Sequence, residues 1–189
     1  SGRIAYHRTM TGRAHRLASG CALALATLSA RAGAVTINIS PGDDYTKLEA
    51  AVAGDEVVIA PGTYEFRVYL AGKGSAAAPI KIRALDPKSR PVWDLGGKNV
   101  ESWPGSYSGG DNGRGCWQIS GSYYEISGVE LTGCHTASNN AAGIRTVGAD
   151  HVTVRDVKVT GSDAGYTGAA EGVALEFVEL AQNGQKSNP

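Results

Sequence analysis

The side chains with most chemistry to offer stand in and beside one short recurring pattern. Lys158 lies inside Val152-Thr153-Val154-Arg155-Asp156-Val157-Lys158-Val159, and Arg145 lies just before it. A guanidinium grips a carboxylate through its planar fork, and a lysine flanked by acids can serve as a base. Aligning Ala142-Gly143-Ile144-Arg145 with Ala164-Gly165-Tyr166-Thr167 puts Arg145 beside Thr167, and loosely beside Gln118. Gln118, Arg145 and Thr167 are therefore candidate binding residues, and Arg145 and Lys158 candidate catalytic ones. The plainer reading of Arg145 is a solvated surface arginine. For Glu130, Lys158 and Glu179, at equivalent outward positions, it is an alternating charge ladder. Asp150, Asp163 and Glu171 could supply oxygens to calcium, but acids are expected in turns in any case, so no metal site is assigned. His135 and His151 fall at corners with no serine or acid spacing that makes either a triad member.

What must position these residues is a repeat. Tyr124-Glu125-Ile126-Ser127-Gly128-Val129-Glu130-Leu131 returns at 152–159 and again as Val173-Ala174-Leu175-Glu176-Phe177-Val178-Glu179-Leu180, with starts 28 and then 21 residues apart. Each copy has apolar residues at its first, third, sixth and eighth places. Alternation of period two means a strand with one face buried, and the change of phase after the third place means a bend. Ile80-Lys81-Ile82-Arg83-Ala84-Leu85 is an earlier copy, and Val57-Val58-Ile59 begins a still earlier one. Self-similarity at this period signals a solenoid whose coils bury their apolar rows only by stacking. A leucine-rich repeat would need L-x-x-L-x-L-x-x-N, which does not occur. The Val and Ile bias favours strand-only coils, so the expected fold is an all-β, right-handed parallel β-helix of about five coils.

Ahead of the repeats, Val35 to Ile39 alternates as a first strand, and Ser40-Pro41-Gly42-Asp43-Asp44 reads as a turn. Thr46-Lys47-Leu48-Glu49 has capping-box form, with Leu48, Ala51 and Val52 at helical spacing before Gly54. A short helix over 46–53 would lid the apolar end of the stack. Residues 96–115 are rich in Gly, Ser and Asn and leave the coil as an excursion carrying Trp103, Pro104 and Tyr107. Trp103 could stack on a sugar or pack the loop onto the coil.

The first 34 residues read as upstream sequence plus a secretory signal peptide. Met10 is the only methionine, followed by Arg13, His15 and Arg16, the apolar run Leu17 to Leu28, and small-x-small sites at Ala30-Arg31-Ala32 and Ala32-Gly33-Ala34. The run is too short to span a membrane, so no stable insertion is expected after cleavage. The chain is formally neutral with 18 basic and 18 acidic residues; removing 1–34, with five arginines and no acid, leaves a net charge of −5. An acidic exported domain is a poor match for nucleic acid. Cys116 and Cys134 remain, and export would permit a bond between them. Two small packing residues at the ends of one coil are the favoured reading.

Gly54-Asp55…Pro61-Gly62-Thr63-Tyr64 and Gly72-Lys73-Gly74-Ser75…Pro79-Ile80-Lys81-Ile82-Arg83-Ala84 resemble secreted right-handed parallel β-helix proteins of the pectate-lyase-like superfamily. The opening coils look most like the chondroitinase B and alginate lyase group. The resemblance covers about 35–189. It implies a secreted, periplasmic or extracellular polysaccharide lyase acting on an acidic glycan, using a Lys or Arg base and often calcium. The family's catalytic residues lie in middle and later coils, and the chain stops at Pro189 without a recognisable closing cap. The expectation is thus an N-terminal portion, with no catalytic residue of the family carried over. The alternatives are a non-catalytic glycan-binding or adhesion module, and a glycoside hydrolase on the same fold.

Overall fold

The computed structural model describes residues 33–96, 115–136 and 140–184. β1 (Thr36–Ile39) and the helix α1 (Tyr45–Glu49) open the fold. A first coil follows as β2 (Glu56–Ile59), β3 (Thr63–Tyr64) and β4 (Val68–Leu70). The next is β5 (Ile80–Ala84), β6 (Val92–Asp94) and β7 (Gly115–Ile119). Then come β8 (Ser122–Ser127), β9 (Glu130–Thr132) and the first half of β10 (Ala142–Arg155). The second half of β10 begins another coil with β11 (Lys158–Thr160) and β12 (Ala164–Glu171), and β13 (Ala174–Glu176) and β14 (Glu179–Ala181) follow.

The strands stack into three parallel faces. The first is β1, β2, β5, β8, the second half of β10, and β13. The second is β3, β6, β9, β11 and β14. The third is β4, β7, the first half of β10, and β12. This is the parallel β-helix that the repeat predicts. Ile37, Val57, Ile82, Ile126, Val154 and Leu175 form one inward column across the first face. Val57, Ile82 and Val154 are fully buried, whereas Leu175 is 41% exposed and Leu180 46%, because no described residue covers the last coil. Aromatic rings fill the core beside β3 and β6, where Tyr64 stacks on Trp93 with ring centroids 4.4 Å apart.

The bend in the repeat has a specific backbone cause. Gly128, Asp156 and Phe177, each at the fifth place of its copy, have φ of 73°, 50° and 52°. A left-handed residue there reverses the pleat, so two residues pass before the next inward side chain. The same conformation recurs one place before each copy at Tyr123, His151 and Gly172, and at the tenth place at Gly133, Gly161 and Gln182. Every non-glycine residue with positive φ among the described residues belongs to one of these three corner columns.

Four expectations are corrected. The helix spans Tyr45–Glu49 and its cap is Asp44, whose side chain accepts from Thr46 N, rather than Thr46 itself. Leu48 and Ala51 are buried, but Val52 is 43% exposed because the chain has already left the helix. There Val52 N and Val35 N both donate to the fully buried carboxylate of Asp55, at 3.0 Å each. Cys116 and Cys134 form a disulfide, with Cα atoms 5.9 Å apart; coil geometry sets them within bonding range. Asp150 and Glu171 are not turn residues but strand residues of β10 and β12, directly in register. Among the described residues no helix is long and apolar enough to cross a membrane.

Candidate functional site

The predicted alignment on the third face holds. Tyr69, Gln118, Arg145 and Thr167 form one column. Gln118 is buried, at 1% exposure, while Arg145 and Thr167 are half-buried. Lys158 lies on the second face between Glu130 and Glu179, its Nζ 3.9 Å from Glu179 Oε1. Arg145 and Lys158 thus stand on different faces, and the fold does not bring them together. Trp103 lies outside the described residues.

The candidate calcium oxygens do not converge. The Asp163 carboxylate is buried and fully engaged: His135 Nδ1 is 2.7 Å from Oδ1, and Thr136 N and Ala141 N donate to Oδ2. Asp150 and Glu171 are adjacent elsewhere in the stack. Among the described residues no three His, Cys, Asp or Glu side chains gather as ligands. The described residues do not fit a calcium site, and no step is derived through one.

The first face offers a polar outer surface with hollows of its own. Its outward columns are Glu56, Lys81, Glu125 and Thr153, and Arg83, Ser127, Arg155 and Glu176, the second continuing from the buried Val58. Parallel stacking sets such neighbours about 4.8 Å apart, so opposite charges meet along the rungs. Arg83 Nε donates to Glu56 Oε1 at 2.8 Å; that hydrogen bond holds the Glu56 carboxyl below its ordinary pKa. Lys81 Nζ is 3.8 Å from Glu125 Oε2.

A depression of about 340 Å³ crosses this face, lined by Glu125, Ile126, Ser127, Thr153 and Arg155. Arg155 donates from Nε to Glu176 Oε2 at 2.7 Å and remains 58% exposed. Its terminal amino groups have no partner among the described residues. Glu125 and Thr153 are shared with a second hollow of about 210 Å³, which Pro79, Tyr123, Tyr124, His151 and Gly172 also line. Tyr124 is buried beneath it, accepting from Gly72 N at 2.8 Å. Burial pushes its hydroxyl up to about 12, against the lowering effect of that bond.

Tyr123 and His151 form the wall of the second hollow. Their rings are parallel within 6°, with centroids 4.5 Å apart, and His151 Nδ1 is 2.5 Å from Asp150 Oδ1. Sequence reasoning missed both this stack and the open end of Arg155. The signal was present in the residue immediately before each copy: Pro79, Tyr123, His151 and Gly172 all hold that place.

No protein-family model matches the sequence, and no curated protein matches it. Among solved structures, an alginate lyase from Paenibacillus sp. str. FPU-7 superposes with a TM-score of 0.55 at 21% identity. The match covers 75% of this chain and 44% of that one. A mannuronic acid specific polysaccharide family 6 lyase from human gut microbiota gives 0.37 at 18% identity, over 67% of this chain and 25% of the other. A lacto-N-biosidase from Eubacterium ramulus gives 0.42 at 12%, over 79% and 34%. The first of these places the chain in the parallel β-helix fold. The chain spans less than half the length of each of these structures.

Proposed function

We propose that this chain is the N-terminal part of an exported carbohydrate-active β-helix, a polysaccharide lyase acting on an acidic glycan, with the glycan lying across the first face. The observation that carries this reading is Arg155: an exposed guanidinium at the edge of a groove, its terminal donors without a partner among the described residues. A volume of about 340 Å³ falls within the roughly 300–1,000 Å³ of small-ligand sites. A guanidinium fork matches a uronate carboxylate. Neutralising that carboxylate makes the adjacent C–H more acidic, which a base then exploits in elimination. The shared fold with an alginate lyase supports the same class, and Arg145 on the third face is a second candidate cation. Export is supported by the basic and apolar leader with cleavage after Ala32 or Ala34, and by the Cys116–Cys134 bond.

Incubating the complete protein with alginate, chondroitin and pectate tests the reaction, since elimination creates an unsaturated uronate with a new ultraviolet absorbance. Two observations favour other readings. Most first-face and second-face cations are already paired along the rungs, as in Arg83–Glu56 and Lys158–Glu179, which suits a non-catalytic glycan-binding module. Asp150 and Glu171 are adjacent carboxylates in register, the arrangement a retaining glycoside hydrolase would need if their side chains faced one groove. Glycan binding without cleavage selects the first alternative, and hydrolysis without new absorbance selects the second.

A further inference from the structure

The corner column before each repeat contains rings that stop abruptly. Pro79, Tyr123 and His151 follow one another, and then the column ends in Gly172. The register of the strands that follow sets these residues on successive rungs: Ile80 pairs with Tyr124, Tyr124 with Val152, and Thr153 with Ala174. Tyr123 covers one side of the imidazole. On the other side stands Gly172, whose absent Cβ would lie 3.4 Å from His151 Cγ and Cα, at ordinary contact distance. A side chain there would continue the stack. Glycine leaves that side of the imidazole open, and the His151 side chain is 56% exposed.

The ring is also fixed in place. Asp150 Oδ1 sits 2.5 Å from Nδ1, and the phenol of Tyr123 supports the opposite side. A rigid aromatic surface at the wall of a groove is what the apolar face of a pyranose needs, because little side-chain entropy is lost on binding. Glu125 and Thr153 line the same hollow and offer acceptor and donor atoms to ring hydroxyls. Both residues also line the depression that Arg155 borders, so one oligosaccharide can reach both sites.

We infer that His151, backed by Tyr123 and exposed by Gly172, is a stacking subsite for a pyranose ring of the glycan whose carboxylate Arg155 holds. This rests on the proposed glycan function and adds a sugar position to it, one that reads ring shape instead of charge.

The test is binding of an alginate tetrasaccharide to the full chain, measured by calorimetry and by the His151 ring-proton signals in NMR. His151→Asn removes the ring, and Gly172→Asn puts a side chain over it; asparagine tolerates the left-handed conformation that both sites require. Far-ultraviolet dichroism and a thermal melt check that each variant is folded. Both variants are expected to weaken binding about three- to tenfold, since a stacked ring contact is worth up to about one decade in affinity. In the unaltered chain the His151 protons should shift on titration, a readout that needs no variant. If the tetrasaccharide binds, Arg155→Ala weakens it, and neither His151 signals nor the two variants respond, the subsite is overturned while the glycan reading stands. If the unaltered chain binds no alginate, chondroitin or pectate oligosaccharide, both fall together.

Discussion

Asp156 and Phe177 hold the same corner of successive coils, with φ of 50° and 52°, directly above Gly128 at 73°. The left-handed conformation costs a side-chain-bearing residue roughly 1–2 kcal/mol, and glycine gives back about 0.5–1 kcal/mol of that in unfolded-chain entropy. Asp156 has a compensating ion pair with Arg90. Phe177 has none, and its side chain is 89% exposed. Phe177→Gly should therefore raise stability by about 0.5–1 kcal/mol in urea titrations. Gly128→Ala should lower it by about 1–2 kcal/mol, since its new Cβ would also meet Ala84 Cβ at 3.1 Å. A stabilised Gly128→Ala would refute the corner argument.

The carboxylate of Asp55 joins the start of β1 to the segment after α1. Asp55→Ala strands the N–H groups of Val35 and Val52, each at about 1–3 kcal/mol when buried, so a loss of at least about 2 kcal/mol is expected. Asp55→Asn keeps one acceptor oxygen and should lose roughly half as much. Equal losses in the two variants, measured by denaturant unfolding, would show that the hydrogen bonds are not what Asp55 contributes.

Cys116 and Cys134 are 18 residues apart and close the coil containing β8 and β9. A loop of this size is worth about 3 kcal/mol through the unfolded state. Thermal melts with and without reductant should differ by that stability, and Cys116→Ala with Cys134→Ala should reproduce the reduced curve. Coincident melts would remove the stabilising role.

Tyr64 and Tyr124 both have hydroxyls pushed up to about 12 by burial, against an ordinary value of 10. Their folded pKa lies above the unfolded one, so between those values the unfolded chain binds fewer protons. Stability is then intact below pH 10 and falls as the pH rises through the folded value. Tyr64→Phe and Tyr124→Phe should each flatten that alkaline decline in a pH series of urea midpoints. Tyr124→Phe should also lose about 1 kcal/mol at neutral pH through the orphaned Gly72 N–H.

The last described coil presents Leu175, Phe177 and Leu180, and β12, β13 and β14 each keep one unpaired edge among the described residues. Such an edge templates pairing with another chain. The 189-residue chain made alone should form concentration-dependent oligomers in ultracentrifugation, and Leu180→Lys should reduce them. A clean monomer at all concentrations would sink this prediction.

Much of this architecture can be read from the chain because stacking converts sequence period directly into register. The alignment of Arg145 with Thr167 and Gln118, and of Lys158 with Glu130 and Glu179, needs only the repeat. The second hollow on the first face was hidden because its wall is made by corner residues. Tyr123 and His151 are 28 positions apart and fall outside the alternating pattern. The open end of Arg155 depends on which of its nitrogens Glu176 takes, a matter of side-chain geometry. The disulfide, where simple packing was the favoured reading, was missed for a similar reason: spacing permits both, and only the coil path brings the two Cα atoms together.

The corner columns also bear on how such a chain can change length over generations. Between Tyr123 and Gly128, and between Gly128 and Gly133, the spacing is five residues, and the two later coils repeat it. One residue added inside a span would turn an inward row outward and break the match to both neighbouring rungs. The stretch 85–91, which leaves the stack between β5 and β6 and returns to it, carries no such constraint. Insertions and deletions should therefore accumulate at corners while the spans between them keep their count, so new recognition loops can be tried without disturbing the stack that carries them.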